Sequence, residues 1–477
     1  MIEYERYSPA VQLSYLFGPG SYLLGINNTD NTNTMSQIFA VNRLAFYLVV
    51  LLGATLSSVV AQESPPSSQD GEVDEQQLTA LGIRVLRGRH LTLYTDLRTD
   101  REVDELPEIF DLAVPQLCRY FEIEPTAAKN FRVHCSLIQD KARFSRAGLF
   151  PDDLPPFPHG FNRGTTAWVY EQPSAYYRRH LVIHEGTHAF METLLGSAGP
   201  PWYREGMAEL LATHRWQGGQ LTLKYFPQHK QETPEWGRIK IIKDQIEVNR
   251  GMSLVDIMRY DTRAHLRNEA YAWSWAATVF FDTLPETQQA FRKLPKTVNQ
   301  PPQQFNRDFY DQLRKQWSHL QEQWQIFVLE IAYGYDLTKN AITRGPVQDL
   351  AGETTAKVLA ARGWQSSAIR VQAGRQYKIS ATGKFQIGAD EQPWISEAGG
   401  ITLEYYQGKP IGTLLAAVSN ESKPLVGVTP LNKPVAIGFE AMLIPAATGT
   451  LFLRINDSPA RLSDNQGSLS VKIEAMD

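Results

Sequence analysis

The chain has 477 residues, with 47 Lys and Arg against 51 Asp and Glu, a formal net charge of −4, and is 43% hydrophobic and 21% charged. Those proportions belong to ordinary globular proteins and exclude a wholly disordered chain, a collagen and a polytopic membrane protein. The length asks for at least two cores, and no basic excess points to a nucleic-acid partner. Two cysteines, Cys118 and Cys135, make either one bridge in an oxidising compartment or two separate buried thiols.

Residues 1–34 end in the polar run NNTDNTNT, after which Met35 offers a second start. Arg43, an apolar run over 44–56, and the small residues Val59 and Ala61 before Gln62 have the three-part layout of a secretory signal peptide. The apolar run is shorter than the ~20 residues of a membrane span. The expectation is therefore an over-extended N-terminus over 1–34, a signal peptide over 35–61, and an exported protein (periplasmic, cell-surface or secreted) with no stable membrane span. No cysteine follows the apolar run, so a lipoprotein anchor is not expected.

Residues 62–82 are polar, acidic and proline-bearing, and read as a linker. From 83 to 345 strands and helices mix. RHLTLYTD (89–96) and NFRVHCSLI (130–138) read as strands, and VDELPEIFDLAVPQLCRYF between them as a helix bent or interrupted at Pro115. A Pro- and Gly-rich loop covers 149–164, followed by the strand TTAWVYE (165–171) and then mostly helix. Aromatic stripes such as YAWSWAATVFF read as packing. From 350 to 477 short alternating segments predict an all-β sandwich: AIRVQ, QYKISATG, ITLEYY, VAIGFEAM, TGTLFLRIND and GSLSVKIEA.

The strongest chemical pattern is His184-Glu185-Gly186-Thr187-His188, inside a helical run with Ser174 placed as N-cap. Positions i and i+4 share a helix face, so two imidazoles can hold one Zn²⁺, with Glu185 beside them as general base. Downstream, PPWYREGMAELLATH places Glu205 and Glu209 four apart on a helix. Glu205 is the candidate third ligand, and Glu209 the candidate for orienting a ligand histidine. His180 extends the histidine series by one turn and reads as polar surface; His214 and His265 have no partner at ligand spacing.

HEGTH followed by WYREGMAEL resembles the gluzincin metallopeptidases of the peptidase MA superfamily, whose second motif is W-x-x-E-G-x-A-E. The resemblance covers about 83–340 and is greatest to uncharacterised exported members. It implies His184, His188 and Glu205 as zinc ligands, Glu185 as general base and Glu209 as the acid behind the ligands. Sixteen residues separate His188 from Glu205, a shorter connection than in the gluzincin aminopeptidases. Tyr271, sixty-six residues after Glu205, matches the separation of the family's oxyanion-donating tyrosine, and equally suits a core position. No G-x-M-E-N sequence is present to hold a substrate's free amine, and TTAWVYE stands where the family has a substrate-pairing edge strand. An endopeptidase acting on peptides or proteins is therefore expected over an aminopeptidase.

GTLFLRINDSPARLSDNQGSLSVKIE (449–474) resembles the end of calcium-dependent, PA-IL-type lectins, with weaker similarity back to about 365. Asp457, Asp464 and Asn465, with carbonyls of Arg461 and Ile387, supply the oxygens that Ca²⁺ needs; the same residues also suit a plain turn. A glycan partner is implied, although the family's sugar-loop histidine is missing from ADEQPWISEAGG (389–400), where Trp394 stands as a stacking or core residue. The fold class expected is α+β, a zincin-like metallopeptidase domain followed by an all-β sandwich. The function expected is an exported zinc metallopeptidase. The alternatives are a non-catalytic exported binding protein on the same scaffold and a zinc hydrolase of non-peptide substrates.

Overall fold

A computed structural model describes residues 75–420, 425 and 427–476. The expected signal peptide, the segment before it and most of the expected linker lie outside the described residues. The chain is mixed α/β, with an all-β part at its C-terminal end. No helix among the described residues is long and apolar enough to cross a membrane.

The first part is built on a five-stranded sheet of β1 (Arg84–Arg87), β2 (Leu91–Thr95), β3 (Val133–Ile138), β4 (Gly160–Arg163) and β5 (Thr166–Tyr170), in the order β1-β2-β3-β5-β4. β2, β3 and β5 are parallel, whereas β1 and β4 run antiparallel to their neighbours. β2 is buried at every position and β3 at all but one, as expected of strands covered on both faces.

The helices α1 (Glu75–Ala80), α2 (Arg101–Asp104), α3 (Leu106–Phe121) and α4 (Lys141–Arg146) surround the first strands. Then come the two helices that carry the chemical pattern, α5 (Ala175–Leu194) and α6 (Pro201–Ala212), and a small hairpin of β6 (Arg215–Gln217) and β7 (Gln220–Thr222). The remainder of this part is helical: α7 (Arg238–Glu247), α8 (Leu254–Met258), α9 (Asn268–Thr283), α10 (Pro285–Phe291), α11 (Pro302–Leu313) and α12 (Trp317–Glu330). The aromatic stripes do pack: Trp202, Trp273, Trp275, Phe280 and Trp324 belong to the one large core of this part.

The C-terminal part holds β8 (Gln348–Asp349), β9 (Glu353–Leu359), β10 (Gln365–Val371), β11 (Tyr377–Thr382), β12 (Phe385–Ala389), β13 (Pro393–Ser396), β14 (Gly399–Tyr406), β15 (Lys409–Ser419), β16 (Val435–Ala436), β17 (Glu440–Leu443), β18 (Gly449–Ile455) and β19 (Gln466–Ala475). They form two six-stranded sheets, one ordered β14-β15-β18-β10-β8 with β16 on β15, the other β13-β12-β19-β11-β17 with β9 on β19. Ile369, Leu414 and Leu453 from the first sheet meet Val358, Ile379 and Val471 from the second in a common core.

Several expectations need correction. The linker does not reach residue 82, because α1 forms at 75–80 and buries Leu78. α3 continues through Pro115, held by a buried face that includes Phe110, Val114 and Leu117. TTAWVYE is not an edge strand: β5 is paired on both sides, and the edge is β4, inside the segment expected to be loop. VAIGFEAM is split into β16 and β17 around Gly438, which has φ +60°. Cys118 and Cys135 are separate buried thiols.

Candidate metal centre

Helix α5 starts where Ser174 accepts a hydrogen bond from the Tyr177 amide, which satisfies one of the free N–H groups of its first turn. From there one face carries His180, His184 and His188, all buried. Gly186 lies on the opposite contact: a Cβ there would stand 2.1 Å from the Phe110 ring, so only glycine lets α5 approach α3 so closely. Gly206 does the same for α6, where a Cβ would meet the Ser274 carbonyl at 2.8 Å and the Thr278 methyl at 2.4 Å. The glycines of HEGTH and REGMAE are thus packing residues, which let α5 close on α3 and α6 close on α9.

The polar groups converge. His184 Nε2 lies 3.1 Å from His188 Nε2, and Glu205 Oε2 lies 3.3 Å from each of them. A tetrahedral Zn²⁺ with bonds of about 2.0–2.1 Å spaces its ligand atoms roughly 3.3–3.4 Å apart. The triangle therefore has the edge length that one such ion requires. Glu205 Oε2 is buried and makes no hydrogen bond, so it faces the same point as the two imidazoles without a proton donor of its own. The donor set, two neutral-capable imidazoles and one carboxylate, fits a catalytic zinc site with one position left over. Against the pull of burial, His188 and His184 hold the Glu205 carboxyl well below the usual carboxylate range.

Behind this triangle stands Glu209, fully buried, with Oε1 3.4 Å from His184 Nδ1 and 3.4 Å from His180 Nε2. The contact to His184 is close without being aligned as a hydrogen bond, since Nδ1 has no hydrogen-bond partner. Arg238 of α7 closes the back, its Nε and Nη2 donating to the two Glu209 oxygens at 2.9 and 2.8 Å. His180 does not lie at the surface: it is 0% exposed and its Nδ1 faces the Ala212 carbonyl at 3.1 Å. His180, His184 and Glu209 also lie close enough to one another to hold a cation, with the Arg238 guanidinium already bound to the carboxylate of that second cluster.

Glu185 sits against the edge strand. A Cβ at Gly160 of β4 would stand 2.5 Å from Glu185 Oε1. Burial pushes the Glu185 carboxyl up to about 7, with Glu205 and Glu192 adding and His184 and Arg204 opposing. A cleft of ≈ 20 Å³, room for about one water molecule, is lined by Glu185, His184, Tyr271, His159, Gly160 and Arg238. Tyr271 of α9 is outside the packed core, its ring 5.8 Å from that of His184 and 5.6 Å from the Arg238 guanidinium.

A larger cavity of ≈ 360 Å³ lies away from these residues, where Lys224, Trp275 and Tyr335 of the helical part face Ala460 and Leu462 of the β part.

The structure also brings together Asp457, Asp464 and Asn465. Asp457 is 0% exposed; its Oδ2 accepts from Asn465 Nδ2 at 2.9 Å and its Oδ1 from the Ser458 amide at 2.7 Å. Burial pushes the Asp457 carboxyl above its ordinary value. Asp464 Oδ1 and Asn465 Oδ1 are buried without hydrogen-bond partners. The Arg461 carbonyl receives a weak bond from the Asp464 amide at 3.4 Å, and Ile387 lies buried on β12. Trp394 packs partly buried against the β core.

Arg238, His159 and Gly160 escaped the sequence reading. The glycine is one of many in the chain. The histidine and arginine have no partner at helical spacing, because their partners come from α5, α6 and α9.

No family model matches the chain, and no curated protein matches it. Among solved structures, one described as an EclA N-terminal domain, a PllA-like lectin, matches 26% of this chain and 95% of its own length, at 22% identity and a TM-score of 0.20. A similarity at that level carries no conclusion about fold or ligand.

Proposed function

We propose that the chain is a zinc-dependent metallopeptidase of the zincin-like, gluzincin type, acting outside the cytoplasm as the layout of residues 35–61 suggests. One observation carries the reading: His184 Nε2, His188 Nε2 and Glu205 Oε2 form a buried triangle of 3.1, 3.3 and 3.3 Å, and Glu185 lines, together with His184, a cleft next to it. A zinc ion held there supplies Lewis acidity, polarising a carbonyl and acidifying a water.

The rest is done by side chains. Glu185, whose carboxyl is placed near neutrality by burial, takes a proton from the attacking water and returns it to the leaving amine. Tyr271 faces the cleft with a phenol that burial keeps protonated, suited to donating a hydrogen bond to the developing oxyanion. β4 is the edge strand of its sheet and its Gly160 lies against Glu185, where an extended peptide pairing along the strand's backbone would favour internal cleavage.

The test is digestion of a complex peptide library with zinc present, read by mass spectrometry, with Glu185→Gln as control. Internal cuts by the wild type, and a zinc-loaded Glu185→Gln chain at least about 10²-fold slower, are expected. Equal activity of the two ends the assignment. No cuts by a zinc-loaded wild type would favour an exported binding protein on this scaffold.

In the β part, we infer a Ca²⁺ site at Asp457, Asp464 and Asn465, on the two buried oxygens there that lack hydrogen bonds. Calcium added to zinc-loaded protein in place of EGTA should raise Tm, and Asp457→Asn should abolish the rise. An identical Tm with and without calcium overturns the site.

A further inference from the structure

The two ligand clusters share His184, which offers Nε2 to one and Nδ1 to the other. In the first cluster the nearby cation is Arg204, whose Nε lies 3.8 Å from Glu205 Oε1, the oxygen turned away from the two imidazoles. In the second, the Arg238 side chain, 7% exposed, binds Glu209 through two parallel N–H···O contacts. Arg238 is itself held, with Nη2 3.4 Å from the Tyr177 hydroxyl and its guanidinium 5.9 Å from the Tyr177 ring. A fork that binds both oxygens fixes the plane of the carboxylate it grips. That carboxylate is the charged group facing His184 Nδ1, 3.4 Å away in a charge contact that is not aligned as a hydrogen bond.

We propose that Arg238 is a positioning residue: it is the resident cation of the His180–His184–Glu209 cluster, and through Glu209 it turns the His184 ring so that Nε2 meets His188 and Glu205. The inference rests on the zinc reading above. It makes that centre mononuclear. A guanidinium paired with both Glu209 oxygens disfavours a second divalent ion there, since two cations would then stand against one carboxylate in a buried place. Partners of a ligand histidine's second nitrogen set ring orientation and tautomer, and their loss typically weakens metal binding by about 10–100-fold. Here the partner of the partner is an arginine from a separate helix, so α7 is part of the metal centre although it supplies no ligand.

The experiment measures binding of Zn²⁺ alone, by competition with a chromophoric chelator, together with the visible spectrum of the Co²⁺-loaded chain. Wild type is expected to take one ion. Arg238→Lys, which keeps the charge and loses the fork, should bind zinc about 10–100-fold more weakly and shift the cobalt spectrum, while the metal-free Tm changes little. Glu209→Gln should weaken binding similarly, and adding Arg238→Lys to it should cost nothing further, because the arginine acts through the glutamate.

Wild-type zinc affinity and an unchanged cobalt spectrum in Arg238→Lys would overturn the proposal, as would additive losses in the double variant or two ions bound by wild type. Should Arg238→Lys fail to fold, Arg238→Met with Glu209→Gln, which removes both buried charges, decides the matter. Affinity equal to Glu209→Gln alone supports the proposal, and a further 10-fold loss overturns it. A wild type that takes up no zinc sinks the metallopeptidase reading itself, a result distinct from all of these.

Discussion

His214 illustrates how a residue next to the chemistry can matter through stability alone. It follows α6, 1% exposed, with Nδ1 2.8 Å from the Ala212 carbonyl, Nε2 3.3 Å from Arg179 Nε, and its ring stacked on Tyr176 at 4.6 Å. A donor on one side and an acceptor on the other define a neutral ring with its proton on Nδ1. Burial pulls its pKa down to about 3, the nearby Arg179 helping. The unfolded chain takes the proton near pH 6.5 and the folded chain only near pH 3, so the neutral ring's contribution is whole above pH 6.5 and drains away as pH falls between the two. From pH 7.5 to pH 5 that removes about 2 kcal/mol of folding stability. His214→Gln should lose about that much less over the same interval in urea titrations. A variant whose stability falls with acid as steeply as wild type would show that His214 is not the group responsible.

At the scale of elements, the short strand β4 matters more than its length suggests. Its first residue, Gly160, leaves just the space that the Glu185 carboxylate fills; a methyl group there would sit 2.5 Å from Oε1. The Glu185 end can swing aside, so Gly160→Ala is expected to fold and, under the proposed function, to bind zinc as wild type does. The carboxylate would then be displaced by about 1 Å, and a misplacement of that size costs roughly 10²-fold in kcat. Matching zinc content with wild-type turnover would show that Glu185 does not work from this position. β4 was not legible in the sequence, since GFNR carries no alternation and follows a proline-rich stretch.

The helices α5 and α6 were legible, because a period of 3.6 and the capping Ser174 are local signals, and the ligand spacing sits on top of them. His180 was misplaced for the opposite reason. What buries it is the Ala212 carbonyl and Glu209, contributed by α6 and invisible from α5 alone. In the β part several alternating strands were found, while β9 was missed although it alternates, and β15 was missed because KPIGTLLAAVS is buried almost throughout and has no polar alternation to betray it.

At the scale of the whole molecule, the β part is joined to the helical part by more than a tether. Ile326 of α12 shares a core with Trp364, Leu415 and Phe452, so apolar surface from both parts is buried together. Polar groups cross the same junction. Glu322 of α12 accepts from the Ser419 and Thr429 hydroxyls at 2.6 and 2.8 Å and from Arg344 at 2.7 Å, and Asn340 donates to the Pro459 carbonyl at 2.8 Å. Deepest is the pair Arg454–Glu330, Nη1 to Oε1 at 2.6 Å, with side chains 4% and 6% exposed. Each charge is buried only because the other part supplies its partner. Neither part can therefore unfold alone without leaving a buried charge unpaired or exposing the shared core, and the chain should unfold in a single transition. Arg454→Met leaves Glu330 buried and unpaired, and is expected to lower stability by about 3–5 kcal/mol. Urea unfolding followed both by tryptophan fluorescence and by far-ultraviolet circular dichroism checks this. Coincident curves, with the variant's midpoint shifted down, are expected. Two separated transitions in the wild type, or a variant as stable as wild type, would mean that the parts fold independently and that the junction does not hold them together.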